Sequence, residues 1–396
     1  MADITHVFPN AEQFDTMNAL LALIAASKEG GMEVSSWKSI AQIVKMGLGA
    51  SAFPLGYEFS TEDADTGATI VWAVRGHNHH AAANSNLKHT MTLEMKYLYG
   101  DSAGTYKGVQ FDAVEAVYYA EEGLVAGTYN FTVANQTWYT ADNGKSFQFT
   151  LTKAVPAGGQ IVLANAAYNA ALAGKTVQTF ASPSSADGIE AVTLTEGSGG
   201  RNLGTTDGKN NMNYFHRAVL GSNNYSQSAL RQWLNSAAAV GSVWAPTNKF
   251  DRPPTWKATY NGFLHGLPTE FLEVVQPAVI PCRTNSAFEV DSLDGTAFAI
   301  NQTYNLEDKF FVLSRPEIYG SLDSASYKDG ELLAYYNGFT DTERIKYDEG
   351  GSARYSWLRS PNPAHASDVR SVDAAGALNR RHACNANAVE AACIIA

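Results

Sequence analysis

The sequence predicts a mixed α+β protein with N-terminal helices, a small antiparallel β domain and a C-terminal domain of short helices, strands and long loops. Three observations carry this prediction. Apolar residues recur at helical spacing near the N-terminus. From about residue 53 they alternate with period two. The chain also holds 33 glycines, 19 tyrosines and 18 phenylalanines, a mix that favours turns and strands over long helices.

Residues 10–27 read as a helix. Asn10 caps it, Gln13 answers from the third position, and Phe14, Met17, Leu21 and Ile24 share a face. A second helix starts at Ser36, with Trp37, Ile40, Val44 and Leu48 on one stripe and Gly47 and Gly49 at its end. Two such helices cannot bury their faces alone, so residues 1–52 are expected to attach or oligomerise the protein. Met91, Leu93, Met95 and Tyr97 alternate with polar residues. So do Tyr129, Phe131 and Val133, and Phe147, Phe149 and Leu151. These strands define a β-rich spacer over 53–175. Residues 176–396 form the third region. Its expected inward residues are Leu230, Trp233 and Leu234, then Phe271, Leu272 and Val275, then Trp357 and Leu358. Pro316 ends the strand in KFFVLSRPEIYG.

Composition narrows function. At 45% hydrophobic and 17% charged residues, most of the chain should fold. The net charge of -11 and the lack of a basic run argue against nucleic acid. No apolar run approaches the ~18 residues of a membrane span, and the N-terminus lacks the charged-then-apolar pattern of a secretory signal. The three cysteines, Cys282, Cys384 and Cys393, have no metal spacing and read as reduced thiols. Cys393 is expected in the core and Cys384 on an open surface.

Two clusters could carry chemistry. His77, His79, His80 and His89 crowd RGHNHHAAANSNLKH, but no acid or cysteine lies among them to complete a metal set. A surface loop is the expectation, with a metal on an oligomer axis or stacking contacts as alternatives. Asp341, Glu343, Asp348 and Glu349 surround Gly350-Gly351. They read as a solvated turn, with a calcium loop or a hydrolytic carboxylate pair as alternatives. GxSxG, phosphate-loop and HExxH motifs are all absent, so neither an enzyme nor a cofactor or resident metal is expected.

Five segments in order, NYSQSALRQWLNS, FDRPPTW, DKFFVLSRPEIYG, ERIKYDEGGSARYSWLRSPNP and ACII, span roughly 170 residues. They resemble the C-terminal domain of gut-phage and Firmicutes proteins with a C-type-lectin-like, formylglycine-generating-enzyme-like fold. In many of these the domain is the target of a diversity-generating retroelement. FPNAEQFDTMNALLALIA and FDAVEAVYYAEEGLVAGTYNFTV look like the earlier parts of such proteins. The formylglycine-generating enzymes use active-site cysteines, and Cys282 and Cys393 sit in no such motif.

The resemblance implies a hypervariable segment at about 356–391, written by reverse transcription that substitutes at template adenines, mostly in asparagine codons. Against the asparagine-rich pattern of that family, this chain departs at Ala364, His365, Ser367, Asp368, Ser371, Asp373, Arg380, Arg381, His382 and Cys384. These are the implied ligand-binding residues. Tyr355, Trp357, Asn379, Asn385 and Asn387 are the supporting ones. Val369, Val372, Leu378 and Val389 keep the scaffold, and a bulge is needed because Val369 and Val372 would otherwise face opposite ways. Ala388, Glu390 and Ala391 also depart, and adenine substitution does not explain them. Arg380 and Arg381 suit carboxylates or phosphates, and His365 and His382 would make contact pH-sensitive.

The implied function is a phage tail-fibre or tail-tip receptor-binding protein, made in the host cytoplasm and carried on the virion. Its partners would be a host surface protein or glycan and other tail proteins, and it would be a homotrimer with no membrane insertion. The rivals are a prophage or bacterial surface adhesin, a virion decoration protein without enzymatic activity, and a tail-associated glycan hydrolase.

Overall fold

The computed structural model describes residues 36–113, 117–120, 124–132, 146–154, 159–164, 175–180, 190–205, 221–245, 253–283, 303–323, 328–363 and 367–396. The helix expected over 10–27 lies outside them. Helix α1 (Trp37–Lys45) forms where the stripe places it. Ser36 caps it by accepting from the Ser39 amide, and Trp37, Ile40 and Val44 are buried while Leu48 is half-buried. Gly47 leaves the helix at φ +77°, and the short α2 (Gly49–Ala52) follows.

The first strands are β1 (Glu58–Asp63), β2 (Ala68–His77), β3 (Ala81–Ala82), β4 (Met91–Met95) and β5 (Val109–Gln110). Then come β6 (Val117–Ala120), β7 (Gly127–Thr132), β8 (Ser146–Leu151), β9 (Gly159–Ala164), β10 (Lys175–Phe180), β11 (Glu190–Glu196) and β12 (Arg201–Thr205). Among the described residues of the third region, three short helices follow: α3 (Ala229–Leu234), α4 (Thr269–Val274) and α5 (Arg315–Tyr319). Its strands are β13 (Val275–Gln276), β14 (Ala278–Arg283), β15 (Thr303–Asp308), β16 (Phe310–Phe311), β17 (Ser356–Pro361), β18 (Asp368–Val372), β19 (Leu378–His382), β20 (Ala386–Asn387) and β21 (Ala392–Ile395). The architecture is mixed α+β, mostly antiparallel strand.

The last strand organises the molecule. β21 pairs with β4 along one edge and with β13 and β16 along the other, so a six-stranded sheet forms around it. Cys393, Ile394 and Ile395 are fully buried. A continuous apolar run is what a strand covered on both faces requires. The sheet thereby joins residues on both sides of the boundary expected near 175. The seven-stranded sheet β12-β7-β8-β11-β10-β9-β6 is instead built wholly from residues 117–205. Within it Tyr129 pairs directly with Phe149, as their alternation anticipates.

Aromatic side chains fill the core beside the first sheet. Trp233 meets Tyr99 and Phe263 at 5.1 and 5.2 Å, Phe263 meets Phe310 at 5.2 Å, and Phe310 meets Trp72 at 5.9 Å. α3 contributes Leu230, Trp233 and Leu234, all fully buried, and α4 contributes Phe271 and Val274. Leu272, expected inward, is only half-buried, because the helix is short and gives way to β13 after Val274. α5 starts on a capping box, with Ser314 and Glu317 satisfying each other's backbone amides and Pro316 in its first turn.

Candidate functional site

The segment singled out by the sequence folds into the small sheet β17-β18-β19 and the following β20. β18 and β19 pair without interruption from Asp368↔His382 to Val372↔Leu378. The irregularity lies between β17 and β18, where Trp357 pairs with Ser371 but Pro361 with Val369. The extra residues are therefore on β17, opposite the Val369–Ser371 stretch of β18. Val369 and Val372 are both fully buried because the sheet is covered on both faces.

The proposed contact residues divide by burial. Ser367, Asp368, Ser371, His382 and Cys384 are buried. His382 Nδ1 lies 2.9 Å from Asp368 Oδ1, and Arg380 reaches the other carboxylate oxygen at 3.4 Å. Cys384 is not the open thiol expected. Burial pushes it up to about 12, so it is protonated and inert at neutral pH. Asp373, Asn379, Arg380, Arg381, Asn385 and Asn387 are half-buried. Asp373 closes the β18–β19 turn, accepting from the Ala375 and Ala377 amides at 2.9 Å. Ala364 and His365 lie outside the described residues.

Four of the sequence-derived positions converge on one cavity. Tyr355, Arg381, Asn385 and Asn387 line an open depression of about 500 Å³, together with Tyr106, Arg354 and alanines. The Arg381 guanidinium carbon lies over the Tyr355 ring, 3.7 Å from its centre. Arg354 lies 4.8 Å over Tyr106 and donates to Asp348 at 3.2 Å. Trp357 does not line the cavity: it is 1% exposed, and its indole donates to the Val109 carbonyl at 2.7 Å. β20 pairs with β5, which brings Asn387 beside residues far away in sequence. Two donors at this site have no partner, Arg381 Nε and Asn387 Nδ2, both buried. A buried donor left unsatisfied costs about 1–3 kcal/mol, which an acceptor on a ligand would recover.

Tyr106 and Arg354 were missed as site residues. Arg354 stands in the quoted segment ERIKYDEGGSARYSW, one residue before Tyr355. Nothing in the sequence marks Tyr106, which a bridge to Gly100 holds in place.

The histidine cluster is not a surface loop at its centre. His80 is buried, with Nδ1 3.0 Å from Thr92 Oγ1 and Nε2 3.0 Å from Glu317 Oε1. Folding thus supplies the carboxylate the local sequence lacked. His79, His80 and Glu317 bring ligand atoms within 4.8 Å of one another. A cation fits poorly there, because Arg359 already grips both Glu317 oxygens. Burial works to raise the Glu317 carboxyl, but Arg359 and His80 outweigh it and hold it well below the usual range. Burial lowers His79 to about 4.

The acids of residues 341–349 also have separate partners. Asp348 accepts from the Ser352 amide at 2.7 Å, Glu343 from Thr340, and Asp341 pairs with Arg344. They do not converge as calcium ligands do.

A second buried charge cluster was not anticipated. Arg75 Nε donates to Glu94 at 2.8 Å, and Lys346 reaches Glu94 at 3.4 Å and ion-pairs with Glu390. Tyr336 donates to Glu94 and accepts from Lys346. Burial acts to raise both carboxyls. At Glu94 the charges of Lys346 and Arg75 win and the carboxyl is held low. At Glu390 burial, aided by the charge on Glu94, outweighs Lys346 and pushes the carboxyl up to about 8. Glu390 thus has a structural place: its carboxyl lies against Lys346 in this buried cluster.

Residues 199–396 match the family described as a domain of unknown function (DUF6273), and the chain belongs to that family. No curated protein and no solved structure matches it. No helix among the described residues is long and apolar enough to cross a membrane.

Proposed function

We propose that this protein is a phage tail receptor-binding protein whose C-terminal domain is C-type-lectin-like and presents a variable face to a host surface molecule. The observation that carries the reading is the cavity beside β19 and β20. Four residues of the implied site meet there although sequence alone cannot bring them together: Tyr355, Arg381, Asn385 and Asn387. Two of them offer buried donors without acceptors. The apolar residues of the same segment, Val369, Val372 and Val389, are fully buried. A rigid scaffold with exchangeable polar residues over it suits binding rather than turnover. Each head would bind weakly, and several copies on one particle would raise the avidity.

Purified full-length protein, fluorescently labelled, should adsorb to a subset of gut bacterial isolates. Arg381→Ala together with Asn387→Ala should reduce adsorption by about ten-fold or more, the effect of losing roughly 1.4 kcal/mol or more. Adsorption to no isolate, or adsorption indifferent to both substitutions, overturns the proposal.

A further inference from the structure

Resting on the receptor-binding reading above, we infer that the group seated in the cavity is an anionic sugar unit, its charge carried by a carboxylate or a phosphate. The charge pattern argues first. Arg354, Arg359, Arg370 and Arg380 each hold a carboxylate, on Asp348, Glu317, Asp323 and Asp368 respectively. Arg381 has no ion pair among the described residues, and its Nε is buried without a hydrogen bond. The cavity lining contains two guanidiniums and no acid, in a chain of net charge -11. The Arg381 charge, uncompensated in this concavity, attracts anions.

Geometry adds the anion's shape. The close contact with the Tyr355 ring restrains the Arg381 guanidinium over it. A planar fork held in one orientation suits two oxygens of a carboxylate or phosphate better than a diffuse charge. Arg354, held over Tyr106 and paired with Asp348, also lines the cavity.

The rest of the lining favours a sugar over a peptide. Asn385 and Asn387 offer amides, and Asn387 Nδ2 has no partner to give up. The other lining residues are alanines, small enough to admit a ring close to the backbone. A volume of about 500 Å³ is within the range of small-ligand sites.

Isothermal titration of the full chain with three probes, trigalacturonate, glucose 1-phosphate and maltotriose, tests the inference. At low salt at least one anionic probe should bind about ten-fold or more tightly than maltotriose, and high salt should weaken it. The stronger of the two names the carboxylate or the phosphate. Arg381→Gln should remove the preference for the anion, and Arg381→Lys, which keeps charge but not the fork, should retain only part of it. Lys38→Gln, on an exposed ion pair far along the chain, should change nothing. Circular dichroism of each variant checks that it folds. Equal binding of maltotriose, or no binding of either anion, overturns the inference. If in that case the protein still adsorbs to cells through Arg381, the receptor reading stands without it. If adsorption fails too, both fall.

Discussion

Glu390 shows how a single departure in the segment is tied to the core behind it. Its folded carboxyl is pushed up to about 8, above the ~4.3 of an unfolded glutamate. Such a group stabilises the fold fully below the unfolded value, and that contribution is lost as pH rises towards 8. Urea midpoints should therefore fall from about pH 5 to 8, and Glu390→Gln should flatten that slope. Equal slopes in both proteins would contradict the assignment. Glu317 works in the opposite sense. Its depressed carboxyl stabilises at neutral pH and the benefit is lost in acid. Its partner Arg359 is fully buried, so Arg359→Met strands a buried carboxylate and should cost about 3–5 kcal/mol by denaturant unfolding. A cost below about 1 kcal/mol would show the pair to be solvated. Neither network was legible beforehand. Glu317 meets His80 across 237 residues and Glu94 meets Lys346 across 252.

At the scale of elements, local pattern was readable and long-range pairing was not. α1, α3 and the alternating strands β4, β7 and β8 stand where periodicity put them. The expected irregularity falls on β17, opposite Val369–Ser371, and burial on both faces of the sheet removes the need for Val369 and Val372 to share a side. The Asp373–Gly376 turn is as constrained as the strands it joins. Gly376 has φ +81°, and a Cβ there would lie 1.7 Å from the Asp341 carbonyl oxygen. Gly376→Ala should destabilise the protein by at least about 2 kcal/mol, since both the left-handed backbone and the contact oppose it. An unchanged melting temperature would mean that the turn does not pack on Asp341.

For the whole molecule, the mixed side chains of Arg380 to Asn387 lead into β21, the strand around which the six-stranded sheet forms. The segment thus runs directly into a strand whose Cys393, Ile394 and Ile395 are fully buried. The resemblance singled out which residues to inspect, and the fold separates them. Arg381, Asn385 and Asn387 reach the cavity, whereas Ser367, Asp368, Ser371 and Cys384 are enclosed. Sequence could not draw that line, because burial here depends on β5, β14 and α5 packing from elsewhere in the chain. The most direct measurement is deep sequencing of codons 364–391 across a phage population carrying this gene. Substitutions should trace to template adenines and concentrate at Arg380, Arg381, Asn385 and Asn387, sparing Val369, Val372 and Val389. A uniform segment, or variation spread evenly over enclosed and open positions, would contradict a diversified receptor-binding face.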